Sequence, residues 1–97
     1  MGKRWSFVGL EGIDETWVGR TVPLIVHEAI RPIEYRVELT LTEIMVEPEH
    51  QNIAFLGTFV HHTTTRSVFG LLMADNHHGA LAETALTKLK HFTDPRH

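Results

Sequence analysis

The sequence predicts an α+β fold, in which a mostly antiparallel five-stranded meander or curled sheet packs against one C-terminal helix. Two periodicities lead to this prediction. Apolar and polar residues alternate along 33–42, which is typical of a half-buried strand. Farther along the chain, an apolar stripe recurs with helical spacing at Leu81, Ala85, Leu89 and Phe92. Short polar loops separate the apolar segments, so consecutive strands are expected to pair.

Five segments have the composition and apolar pattern of strands. Pro23 lacks a backbone donor, which places its strand at a sheet edge or gives that strand an irregular start. The alternation changes phase at Glu43, and one extra residue between Thr42 and Ile44 would restore it as a β-bulge. The predicted strands are 4–10, 17–27, 33–46, 53–60 and 67–73.

The C-terminal helix would begin after a capping residue, Asp75 or Asn76, and would end before Pro95. Residues 94–97 are expected to form a frayed tail. With 97 residues and no linker or internal repeat, the chain is predicted to form a single α+β domain spanning 1–97.

The composition excludes several classes of protein. With no cysteine, the chain cannot be a disulfide scaffold, a zinc finger built on thiolates or a cysteine-nucleophile enzyme. The longest stretch without a formal charge, 51–65, is shorter than the ~20 apolar residues that a membrane-spanning helix needs. No export signal is visible, so we expect a cytoplasmic protein without a membrane partner.

The eight histidines include two adjacent pairs, which make metal binding the first chemical hypothesis. Successive residues of a strand face opposite sides of the sheet, so one pair alone could not hold an ion if the strand continued through it. We therefore predict no metal and no other cofactor. The residues that would bind a metal, if the pairs met in space, are His61, His62, His77 and His78.

Candidates for catalysis and binding are few. Neither serine lies in a Gly-x-Ser-x-Gly turn, so the candidate acid and base groups are His27, Glu38 and His61. A binding surface could form on the even face of the alternating strand, which carries Glu34, Arg36 and Glu38. A second could form at the N-terminus, where basic and aromatic residues mix in Lys3, Arg4 and Trp5, although Trp5 fits a buried strand face equally well.

Three functions are compatible with these patterns. Because one helix cannot cover a sheet that is apolar on both faces, we expect a homo-oligomer, unless the sheet closes into a barrel. The first hypothesis is a non-enzymatic binding or assembly protein that recognises another macromolecule, most readily a protein, through an exposed sheet face or edge strand. The alternative is a small enzyme or ligand-binding fold with a pocket between sheet and helix, lined by histidine and glutamate. A third is nucleic-acid binding through the basic and aromatic termini.

Overall fold

The protein is a closed antiparallel β-barrel in a computed structural model that describes residues 4–10, 12–47, 52–73 and 78–89. Lys3, His77 and the predicted tail at 94–97 lie outside the described residues. Each strand pairs with the next one along the chain, and the last strand pairs with the first. The strands are β1 (Arg4–Val8), β2 (Thr21–Glu28), β3 (Glu34–Glu47), β4 (Asn52–His61), β5 (Thr64–Met73) and β6 (His78–Glu83). A short 3-10 turn, Glu15–Trp17, interrupts the connection between β1 and β2.

The predicted α+β class and its C-terminal helix are wrong. The segment that should begin the helix is β6, in which Leu81 lies opposite Trp5 of β1 and Gly70 of β5. A helix at this position would leave β1 and β5 with unpaired edges, whereas β6 satisfies both and closes the barrel. The spacing of apolar residues within one segment does not reveal this pairing, because the partner strands are distant in sequence.

The long strand β3 confirms the predicted alternation and the predicted bulge. Before the bulge the odd residues Val37, Leu39 and Leu41 are buried, while the even residues face outward. The pairing of β3 with β4 shifts between Leu41 and Glu43, so that even residues point inward afterwards. The bulge lies close to the point at which the paired neighbour of β3 changes from β2 to β4. The pairing of β2 with β3 extends only as far as Thr40.

Pro23 occupies a locally free edge, as its missing donor predicts. It lies opposite Glu38 of β3, whereas β1 pairs with β2 only between Ile25 and Glu28. The strand therefore has a neighbour on one side at Pro23 and on both sides farther along.

Aromatic side chains fill the interior of the barrel above glycines. Phe7 packs edge-to-face on Phe55, with ring centroids 5.8 Å apart. A Cβ atom at Gly70 would lie 2.2 Å from the Phe55 ring, and one at Gly79 would lie 2.2 Å from the Phe7 ring. These positions must stay free of side chains for the rings to fit. A ligand would therefore have to bind outside this packed interior.

Part of the outer face of β4 and β5, around Leu56, is also covered; the sequence led us to expect that a helix or a partner would cover this face. Leu56 points outward but is buried, and Leu89 is buried outside the main core. Leu56 and Leu86 border the same small cavity of about 230 Å³. The chain that follows β6 thus returns across this face and covers Leu56, which leaves less apolar sheet for a second molecule.

The two ends of the barrel differ. At one end the β1–β2 connection forms a plug, in which Leu10 and Ile13 are buried and the Gly19 N–H donates to the Leu41 carbonyl at 2.7 Å. The opposite end, which we call the groove end, carries the β2–β3 connection and the β4–β5 turn. No helix within the described residues is long and apolar enough to cross a membrane.

Candidate binding groove

A groove of about 540 Å³ opens at the groove end, between β3 and β4. The β3–β4 pairing reaches only to Thr40 and Thr58. Closer to this end, β3 pairs with β2 and β4 pairs with β5, so the two strands part and leave a gap between them. The lining residues are Glu28, Arg31, Ile33, Tyr35, Arg36, Val60, His61 and His62.

Polar side chains occupy the last inward positions of the strands at this end. Along β2 the inward residues are Val22, Leu24 and Val26, and the next position in this series is Glu28. The same alternation places a polar or amphipathic residue at the end of other strands, and all of these residues are half-buried. They are Tyr35 in β3, His61 in β4, Arg66 in β5 and Glu83 in β6.

Three rings stack along one side of the groove. Tyr35 and His61 are parallel, with centroids 4.4 Å apart and planes 4° apart. His62 follows at 4.1 Å from His61, tilted by 40°. Adjacent residues can approach in this way because β4 ends at His61, and His62 turns away with a φ of 50°. The expectation that His61 and His62 face opposite sides of a sheet does not apply where the strand has ended.

The phenol of Tyr35 lies in an unusual polar environment. Burial raises the pKa of Tyr35 above its ordinary value, and the nearby Glu28 carboxylate raises it further. The Trp5 indole N–H and the charge of Arg66 act in the opposite direction without cancelling this shift. Tyr35 is therefore neutral at physiological pH, and its hydroxyl keeps a proton to donate.

A set of buried polar atoms lies around Tyr35 beneath the groove. Among the described residues, Trp5 Nε1, Tyr35 Oη and Arg66 Nε are buried without completing a hydrogen bond. The indole N–H is near enough to lower the pKa of Tyr35, but the two groups do not meet with hydrogen-bond geometry. Unsatisfied buried groups are costly, at about 1–3 kcal/mol each, and are rare in folded proteins. Because all three of these atoms lie at the groove end, this end of the barrel is the candidate for a functional site.

The charges of the groove are mainly positive. Arg31 lies 3.6 Å from Glu28, whose side chain is 17% exposed, whereas that of Arg31 is 68% exposed. Arg36 has no ion-pair partner within the described part of the chain. Deeper in the barrel wall, Arg66 and Glu83 form a half-buried pair at 3.0 Å. The groove therefore presents two guanidinium groups against one shielded carboxylate.

The candidate acid and base groups do not come together. His27 and Glu38 lie on the outer wall, Glu38 opposite Pro23, whereas His61 points into the groove. His27 Nδ1 instead lies 3.1 Å from Glu34, its partner across β2 and β3. Ser6 is the neighbour of His27 in β1, but the two side chains make no hydrogen bond and lie outside the groove. No acid–base pair is assembled by these residues.

The proposed binding surfaces separate in a similar way. Arg36 lines the groove, while Glu34 and Glu38 flank it on the exposed outer face of β3. Arg4 is exposed, but Trp5 is only 2% exposed and packs edge-to-face on Phe59 inside the barrel. A base could not stack on Trp5 without opening the barrel.

The candidate metal ligands lie at opposite ends. His61 and His62 are at the groove end, whereas His78 begins β6 at the plugged end. The described residues contain no group of three or more potential metal ligands.

Sequence reasoning did not select Tyr35, Glu28, Arg31 or Arg66. One signal marks three of them: each is a polar or amphipathic residue in the apolar parity of its strand, next to buried neighbours. Arg31 lies in a loop and carries no such signal.

Comparisons with protein-family models, with curated proteins and with solved structures found no match to this chain. Its function is therefore inferred from the groove.

Proposed function

We propose that the protein is a non-enzymatic binding protein that takes a small molecule in the groove between β3 and β4. The observation that carries this proposal is the half-buried polar layer, centred on Tyr35, beneath a concave groove of about 540 Å³. Ligand sites in proteins have volumes of roughly 300–1,000 Å³ and combine apolar walls with a few convergent polar groups. The pocket lies between two parting strands rather than between a sheet and a helix.

Filling the groove tests this proposal. Val60 lines the groove and is 62% exposed, so a Val60→Trp substitution would obstruct the groove without disturbing the core. Val18, 47% exposed at the plugged end, offers a matched control as Val18→Trp. Fragment mixtures screened by protein NMR should shift the signals of groove residues in the native chain and in the control. Those shifts should vanish in Val60→Trp; fragment binding that persists there would contradict the proposal.

Recognition of a protein segment is the second candidate, and exposed apolar side chains favour it. Ile30, in the β2–β3 connection, is 95% exposed, and Ile33 and Val60 are exposed at the groove itself. The parting strands also offer backbone edges to which an extended peptide could add. A peptide library selected on the native chain would support this candidate if binding were lost in Val60→Trp and kept in Val18→Trp.

Two further expectations accompany the proposal. We propose that the protein acts in the cytoplasm and forms a homo-oligomer. The closed barrel and the covered Leu56 remove the uncovered sheet from which an oligomer was first expected. The support that is left for an oligomer is the exposed apolar wall at Met45 and Leu71.

A further inference from the structure

We infer that the groove selects planar anions, a ligand class that deepens the proposed function and rests on it. Charge is the first reason. The whole chain has a formal net charge of -3, yet the groove is lined by Arg31 and Arg36 against the single carboxylate of Glu28. Arg31 neutralises that carboxylate, and Tyr35 stays protonated, so no other lining residue opposes an incoming negative charge.

Arg36 is the group best placed to hold the anion. It lines the groove from β3, is exposed, and makes no ion pair within the described residues. Its outer-face neighbours are acidic, but Glu34 is engaged by His27 at 3.1 Å, and Glu38 lies outside the groove lining. A guanidinium group presents two parallel N–H donors that match a carboxylate, so binding can be bidentate.

Shape is the second reason. The stack of Tyr35, His61 and His62 forms a wall of flat rings, and its outermost member, His62, is exposed at the groove. Flat rings pack best on flat partners, and pairs of this kind contribute about 0.5–1.5 kcal/mol beyond the area they bury. Ile33 and Val60 add apolar surface for the body of the ligand. A planar ring that carries a carboxylate satisfies both the stack and Arg36.

Three probes of similar size separate charge from shape. Benzoate is planar and anionic, benzamide is planar and neutral, and cyclohexanecarboxylate is anionic without a flat ring. We expect benzoate to bind at least about tenfold more tightly than benzamide in NMR titrations, since a charge-assisted hydrogen bond contributes about 1.5–3 kcal/mol. Benzoate should bind about two- to tenfold more tightly than cyclohexanecarboxylate, since the pairing of flat rings contributes about 0.5–1.5 kcal/mol.

Substitutions test whether the preference for benzoate depends on the side chain of Arg36. Arg36→Gln should lower the affinity for benzoate by about tenfold and leave that for benzamide unchanged. Arg20→Gln is the matched control, because Arg20 lies at the plugged end over the ring of Trp17. Equal affinities for benzoate and either of the other probes, or an undiminished affinity for benzoate in Arg36→Gln, would overturn the planar-anion inference while the groove remained a small-molecule site. Failure of every probe and fragment would instead remove the proposed function itself.

Discussion

Replacing Gly70 with alanine tests how tightly the interior of the barrel is filled. A Cβ atom at Gly70 would lie 2.2 Å from Cζ of Phe55, and its three nearest atoms all belong to this ring. Either the ring or β5 must move, and such overpacking of a core costs about 1–3 kcal/mol. Alanine also restricts the unfolded chain, which offsets the cost by about 0.4–1 kcal/mol. We therefore expect the Gly70→Ala variant to lose about 1–2 kcal/mol of unfolding free energy.

A double-mutant cycle attributes this loss to Phe55. Phe55→Leu removes the ring and should cost less than the about 3–5 kcal/mol of a truncation to alanine. In the double variant the new methyl group enters the space that the ring has left, so the combined loss should fall short of the sum by about 1 kcal/mol or more. Urea unfolding followed by tryptophan fluorescence measures all four proteins, because Trp5 lies in the same core. Strictly additive losses, or a Gly70→Ala variant as stable as the parent, would refute the reasoning.

The remaining predictions concern titration and assembly. Tyr35 is the only tyrosine, so phenolate absorbance should report a pKa above 10.0, raised by burial and by Glu28; a value at or below 10.0 would contradict this. Because the folded pKa is the higher one, stability should decline as pH rises from about 10 through the pKa of Tyr35, and Tyr35→Phe should abolish this decline. The pKa of Asp14 is lowered by hydrogen bonds from the hydroxyl and backbone of Thr16, so stability should be lost as pH falls from 3.8 through that lowered pKa. In Asp14→Asn, acid unfolding should lose this component; an unchanged acid profile would show that the hydrogen bonds from Thr16 to Asp14 are not formed. Light scattering should give the mass of an oligomer, and a monomer at every concentration would disprove assembly.

Five of the six strands could be predicted because their signals are local. Alternation along β3 identifies its buried face, and the change of phase at Glu43 locates the bulge to within a residue. Pro23 likewise marks a free edge without any knowledge of its partners. These features depend on the parity of neighbouring residues, which the sequence displays directly.

Closure of the barrel could be predicted only as an alternative, because the strand that completes the barrel has no local signal. Leu81 belongs to an apolar pattern that fits a helix. It lies in a strand because β6 pairs with the otherwise unpaired edges of β1 and β5. Gly79 offered a hint, since glycine disfavours a helix, but its role as the space for the Phe7 ring emerges only when both strands are aligned. The decisive partners are far apart in the chain.

The candidate groove depends on the same long-range pairing. Val60, His61 and His62 line the groove together with Tyr35, beyond the last β3–β4 pair at Thr40 and Thr58. Histidine pairs suggested metal chemistry, whereas in the folded chain His61 and His62 extend a stack of rings that begins at the phenol. Residue type alone did not distinguish these two uses.

The bulge in β3 gives the chain a spare position. Thr42 is the residue that the β3–β4 ladder skips, since Leu41 lies opposite Gly57 and Glu43 lies opposite Leu56. If evolution deleted a residue elsewhere in β3, Thr42 could enter the ladder in compensation. Only in the stretch between the deletion and the bulge would inward and outward side chains then exchange faces. The hairpin beyond the bulge would keep its orientation.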